Sequence, residues 1–200
     1  MTVEGRLTNP AGYSPTYARL HWAIAACVVS LFSMQYIRRF WGEEAHVFVR
    51  EMHKSIGLVL IALIVWRLLL RLRTPMPPRF MDASAKRMAL AAWAHKQLWI
   101  FMVATPLLGI AFLLMRGRGI HFFGLIRIGP LTTGSQQLGT IAYVLHMGAA
   151  FCLIGLVALH AGGALYHRFV LRDGLMSRMR IGRTRHAPEP SSADEAARSA

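Results

Sequence analysis

Nine histidines are spread over this chain of 200 residues, and four of them recur at spacings suited to holding a metal. His146 and His160 are 14 residues apart, which on a helix means about 21 Å along the axis and only ~40° of rotation. They share one face at two depths. His21 and His53 begin two other apolar runs, so alternating run directions bring His21 level with His160 and His53 level with His146. Two imidazoles facing each other from different helices are what bis-imidazole ligation of a haem iron requires, one above and one below the porphyrin plane. The chain has no Cys-x-x-Cys-His, so the expected groups are two noncovalent b-type haems. A divalent metal is the main competitor, but zinc or copper wants three or four converging ligands, often including carboxylate or thiolate. A single histidine near a helix end is commonly an interfacial residue, a reading that weakens for four at matched depths.

Three residues near these histidines extend the pattern. Gly57 lies one turn after His53, where a missing side chain lets a porphyrin approach the backbone. Arg67 follows His53 by the same 14 residues and so reaches the depth of the other pair, with Arg71 one turn further on. Their guanidinium groups could hold haem propionates. The competing reading is that both snorkel to lipid headgroups.

The elements that must position these residues are long apolar helices. Hydrophobic residues make up 54% of the chain and charged residues 16%, against about 25% charged in an ordinary soluble domain. Four runs approach the roughly 20 residues needed to cross a hydrocarbon core: about 20–37, 53–72, 93–115 and 141–166. The expected fold is all-α, an integral membrane four-helix bundle with haems between its helices. A polar segment at 1–16 precedes the domain at 17–179, and 180–200 reads as a basic, then disordered, cytoplasmic tail. The first run lacks a basic leader and a small-residue cleavage site, so it is expected to remain in the mature protein.

The net charge of +14 is clustered between the runs, which points to a membrane rather than to nucleic acid. Arg6, Arg19, Arg71, Arg73, Arg79, Lys86, Arg87 and the arginines after Tyr166 place both termini in the cytoplasm. Arg38, Arg39, Arg50, Lys54, Arg116, Arg118 and Arg127 then fall on the outer side. Pro75, Pro77 and Pro78 break the chain after the second run, and the glycines between Gly117 and Gly134 make the last connection irregular. Gly148, Gly155 and Gly162 form a stripe explained by close helix packing. Pro106 with Gly109 suggests a kink, and Cys27 and Cys152 read as small buried residues.

Several short segments together resemble the bacterial cytochrome b561 family of di-haem membrane cytochromes. They are Arg19-Leu20-His21-Trp22, Met52-His53-Lys54-Ser55-Ile56-Gly57, Arg67-Leu68-Leu69-Leu70-Arg71-Leu72 with Thr74-Pro75, Ala94-His95 with Pro106-Leu107-Leu108-Gly109, and Leu159-His160-Ala161 with His167 seven residues on. The likeness runs from Tyr17 to about Met179. It implies that His21 and His160 ligate the cytoplasmic-side haem and His53 and His146 the outer one.

The resemblance also implies a quinone site near one membrane face, where His167 or His95 could hydrogen-bond a carbonyl and relay a proton. Interfacial anchoring beside Trp93 and Tyr166 explains the same two residues equally simply. The expected activity is transfer of electrons from an outer donor, which the resemblance suggests is superoxide, to ubiquinone in a bacterial inner membrane. Lys54, Arg116, Arg118 and Arg127 could steer that anion, or they could only meet headgroups. A cytochrome subunit serving a partner dehydrogenase is the alternative reading. A haem-free scaffold or metal carrier is a third.

Overall fold

A computed structural model describes residues 13–40, 42–74 and 85–172, together with Met176 and Met179. The expected proline break at 75–78, the segment 1–12, and the tail at 180–200 lie outside the described residues.

Four helices carry the chain: α1 (Pro15–Ile37), α2 (Glu43–Arg73), α3 (Ala85–Met115) and α4 (Gln136–Tyr166). All four are long and apolar enough to cross a membrane. Each starts earlier than the apolar runs suggest, because a helix continues past the hydrocarbon wherever its end can be capped. Ser14 caps α1 through Oγ, which accepts from Tyr17 N at 3.3 Å, with Pro15 in the first turn. Ser135 Oγ does the same for α4, accepting from Leu138 N. Consequently His21, His53 and His95 sit six to ten residues inside their helices rather than opening them.

The helices pack as two close pairs, α1 with α2 and α3 with α4, and α2 and α3 touch more sparingly. Neither α1 nor α2 packs closely against α4. Ile24, Val28, Leu60 and Ile64 form the buried cluster at mid-depth, with Trp99, Met102 and Val157 packed against it. That cluster separates the level of His21 from the level of His53.

The connection between α3 and α4 departs from expectation. Instead of an irregular loop it forms an antiparallel hairpin, β1 (Ile120–Phe122) and β2 (Ile126–Ile128), with His121 opposite Arg127. The glycines shape it: Gly117, Gly124, Gly129 and Gly134 all have positive φ, which only glycine adopts freely. The hairpin is fastened to α2. Glu51 Oε2 accepts from His121 N at 3.1 Å, and Lys54 Nζ donates to Gly119 O at 3.1 Å. Ser55, the one fully buried polar side chain among the described residues, accepts from Phe123 N at 2.8 Å and donates to Glu51 O at 2.9 Å. Ser55→Ala strands the Phe123 N–H, so we expect a loss of about 1–2 kcal/mol, measurable as a lower thermal midpoint in detergent.

Two further expectations are corrected. No described atom would lie within 4 Å of a Cβ placed on Gly148, Gly155 or Gly162. The stripe faces away from the bundle, because the buried residues Gly139, Ala142, Ala149 and Leu153 mark the opposite side of α4. Packing against the other described helices therefore does not explain it. Cys152 is exposed on the bundle exterior rather than buried, while Cys27 is half-buried beside the core. Pro106 lies within an unbroken α3.

Candidate functional site

The four spaced histidines meet in the two pairs that their positions suggested. The rings of His21 and His160 are 6.2 Å apart between centres, and those of His53 and His146 are 6.4 Å apart. A histidine nitrogen sits about 2 Å from a bound metal, with its ring centre roughly 1 Å behind, so two opposed axial imidazoles stand ~6 Å apart. Both pairs meet that requirement. Each pair bridges helices that touch only sparingly. Among the described residues, no cluster of three or more His, Cys, Asp or Glu could hold a metal ion.

At the hairpin end, the His146 imidazole is set by α3. Its Nδ1 lies 2.9 Å from Thr105 O, and a carbonyl can only accept, so Nδ1 carries the proton and Nε2 presents its lone pair to the His53 side. Gly109, one turn further along α3, makes that placement possible. A Cβ there would lie 3.2 Å from His146 Cε1 and 3.3 Å from Nδ1. Beyond a kink with Pro106 and a place in a family-like segment, spacing assigns Gly109 no role; its contact with His146 depends on how α3 faces α4, which spacing along one chain does not reveal. His53 Nδ1 is buried without a well-aligned hydrogen bond, beside the Leu31 carbonyl. Gly57 faces open space, with no described atom within 4 Å of where its Cβ would be.

At the other end, near the chain termini, a third histidine joins the pair. His95 lies 5.1 Å from His160 between ring centres and donates from Nδ1 to Ala91 O at 2.6 Å. It remains exposed. Arg67 does not snorkel: it is only 7% exposed, its guanidinium stacks on the Tyr17 ring at 4.2 Å, and NH1 donates weakly to Tyr17 O at 3.5 Å. Arg71 is exposed, 5.8 Å from the Trp99 ring centre. His167 caps α4 and starts a five-residue π-helical turn, half-buried and next to Tyr166. The Trp22 indole N–H donates to Met179 O at 3.0 Å, next to His21 in the chain.

The cations suggested for steering an anion divide into two groups. Lys54 is paired with Glu51 at 2.6 Å and bonded to Gly119 O. Arg116 donates to Gln136 at 2.6 Å and to Thr140 at 3.2 Å. These two hold the connection together. Arg118 and Arg127 are exposed.

A helical membrane bundle whose histidines face each other at iron-spanning distances is the architecture of a membrane cytochrome b. Residues 12–182 match the family Prokaryotic cytochrome b561, and the chain belongs to that family, whose members are membrane cytochromes that bind haem b. It is 28% identical over 169 residues to cytochrome b561 homolog 1 of Escherichia coli, covering 84% of this chain and 96% of the relative. It is 29% identical over 167 residues to a protein named probable superoxide oxidase CybB of Yersinia pestis, covering 84% and 94%. Cytochrome b562 of Cereibacter sphaeroides is 27% identical over 183 residues, covering 86% and 98%. Family membership sets aside the haem-free scaffold.

Proposed function

We propose that this protein binds two b haems, one between His21 and His160 and one between His53 and His146, and moves electrons between the membrane faces. The two ring-centre separations, each matched to an iron between opposed imidazoles, carry this reading. When bound, each haem supplies a site that gains and loses one electron. The chain does the rest. Thr105 O and Gly109 hold the His146 imidazole in one tautomer and orientation, and the mid-depth cluster excludes water between the two levels.

The arginines near the termini favour the cytoplasmic side for that end and the outer side for the hairpin. In our reading the outer donor is superoxide and the acceptor a ubiquinone. Two superoxide ions each give up one electron, leaving two O2, and the quinone takes two electrons and two protons to become the quinol. A relative named probable superoxide oxidase supports the donor. With Lys54 and Arg116 engaged in structure, steering falls to the exposed Arg118. In our reading His95, exposed beside His160, meets a quinone carbonyl and relays a proton to it, and His167 is the second candidate at that end. The test is stopped-flow mixing of superoxide with the purified single chain and a soluble quinone. Quinol formation well above the uncatalysed rate supports the reading; haem reduction only when a dehydrogenase subunit is added favours the partner-dependent alternative.

Arg67 gives a second check. A fixed positive charge stabilises the reduced haem, by an amount on the order of 1–2 kcal/mol at roughly 10 Å and an effective dielectric near 20. Arg67→Gln should therefore lower the midpoint of the His21–His160 haem by several tens of millivolts in a redox titration and leave the other in place.

A further inference from the structure

The hairpin between α3 and α4 carries apolar side chains that nothing among the described residues covers. Leu125 is 85% exposed and Leu131 74%, with Ile126 and Ile128 also bare. Strand alternation places Ile126 and Ile128 on one face and Arg127 with its partner His121 on the other. The hairpin is thus amphipathic.

Its position follows from its fastenings. Glu51, Lys54 and Ser55 lie on one side of α2, and at 100° per residue His53 points about 150° away from the middle of that side. The hairpin therefore braces α2 from behind, outside the haem-facing interior. Its depth follows from Ser55, which bonds Phe123 N at the hairpin tip. Ser55 lies 16 residues from Arg71 and 18 from Arg73, or about 24–27 Å along the helix. A hydrocarbon core is ~30 Å thick. With those arginines at one headgroup layer, the tip reaches the edge of the hydrocarbon on the opposite side.

We propose that the 120–131 hairpin is a membrane-interface element, with Leu125, Ile126, Ile128 and Leu131 seated among acyl chains of the outer leaflet and Arg127 at the lipid phosphates. Three observations select lipid as the occupant: the hairpin continues the lipid-facing side of α2, it reaches hydrocarbon depth, and its opposite face carries the cation that anionic headgroups attract. The hairpin thereby ties the segment of α2 that carries His53 to the bilayer surface.

The test places single cysteines at Leu125, Ile128 and Arg127 in a Cys27→Ala, Cys152→Ala chain, with the haem spectrum confirming an intact bundle. Leu131→Cys and Arg118→Cys serve as the second pair should a hairpin variant fail to load haem. The chains are placed one per disc in bilayer discs of phosphatidylethanolamine and phosphatidylglycerol, and in vesicles of the same lipids, and labelled with a sulfonated maleimide. A thiol among acyl chains does not ionise, so Leu125→Cys and Ile128→Cys should react at least ~10-fold more slowly than Arg127→Cys in both preparations. Equal rates in discs would put the hairpin in water and overturn the proposal. Slow labelling in vesicles but fast labelling in single-chain discs would also overturn it, because a second copy would then be the cover.

Discussion

His146→Ala should leave a chain that holds one haem instead of two, with the remaining haem spectrally unchanged. The loss is expected at one site because His53 and His146 together supply the two imidazoles there. The loss should stay local for two reasons. The pairs lie about 21 Å apart along α4, and Ile24, Val28, Leu60 and Ile64 fill the space between their levels. The mirror substitution, His160→Ala, carries a distinguishing feature. His95 stands 5.1 Å from the His160 ring with Nδ1 already committed to Ala91 O, so its Nε2 is presented as a ligand's would be. Loss at that end is therefore tested most cleanly with His95 also replaced.

Gly109→Leu should reproduce the His146→Ala spectrum without touching a histidine. The first carbon of any side chain at position 109 would press on the His146 ring at 3.2–3.3 Å, and the remaining carbons of leucine add bulk beside that ring. Packed interiors give by tenths of an ångström, not by the width of a side chain. The ring must swing away, which breaks the Nδ1 bond to Thr105 O and carries Nε2 out of line with His53. Gly109→Ala should show a partial version, with weakened haem retention. Gly148→Leu is the control: nothing stands within 4 Å of that position, so both haems should remain. Haem per polypeptide and the reduced-minus-oxidised spectrum read all three variants. Full retention by Gly109→Leu would mean that the His146 ring does not occupy the position described.

These two expectations differ in how far the sequence could reach them. The histidine pairs were legible because helix geometry converts a spacing of 14 residues directly into shared face and separate depth, and alternating spans supply the partners. Arg67 was legible as to depth but not as to orientation: snorkelling and burial are equally consistent with its position, and Tyr17 one turn before His21 decides between them. Gly109 was not legible as a ring's neighbour, because that depends on the relative rotation of two helices. The hairpin was hidden for another reason. Its glycines read as irregularity, although Ile-His-Phe and Ile-Arg-Ile already alternate with the period of a strand. Lys54 and Arg116 looked like free surface charge for want of any way to see Glu51, Gly119 O, Gln136 and Thr140 around them. The glycine stripe shows the converse error, where a motif associated with packing faces outward.

Haem quantified per polypeptide tests whether the two histidine pairs each hold one haem. The assay takes the purified parent, His146→Ala and His160→Ala with His95→Ala side by side, each with its dithionite-reduced minus oxidised spectrum. Two b-type haems are expected in the parent, one in each variant, and two variant spectra that sum to that of the parent. A single haem in the parent, or the same band lost from both variants, would contradict that assignment.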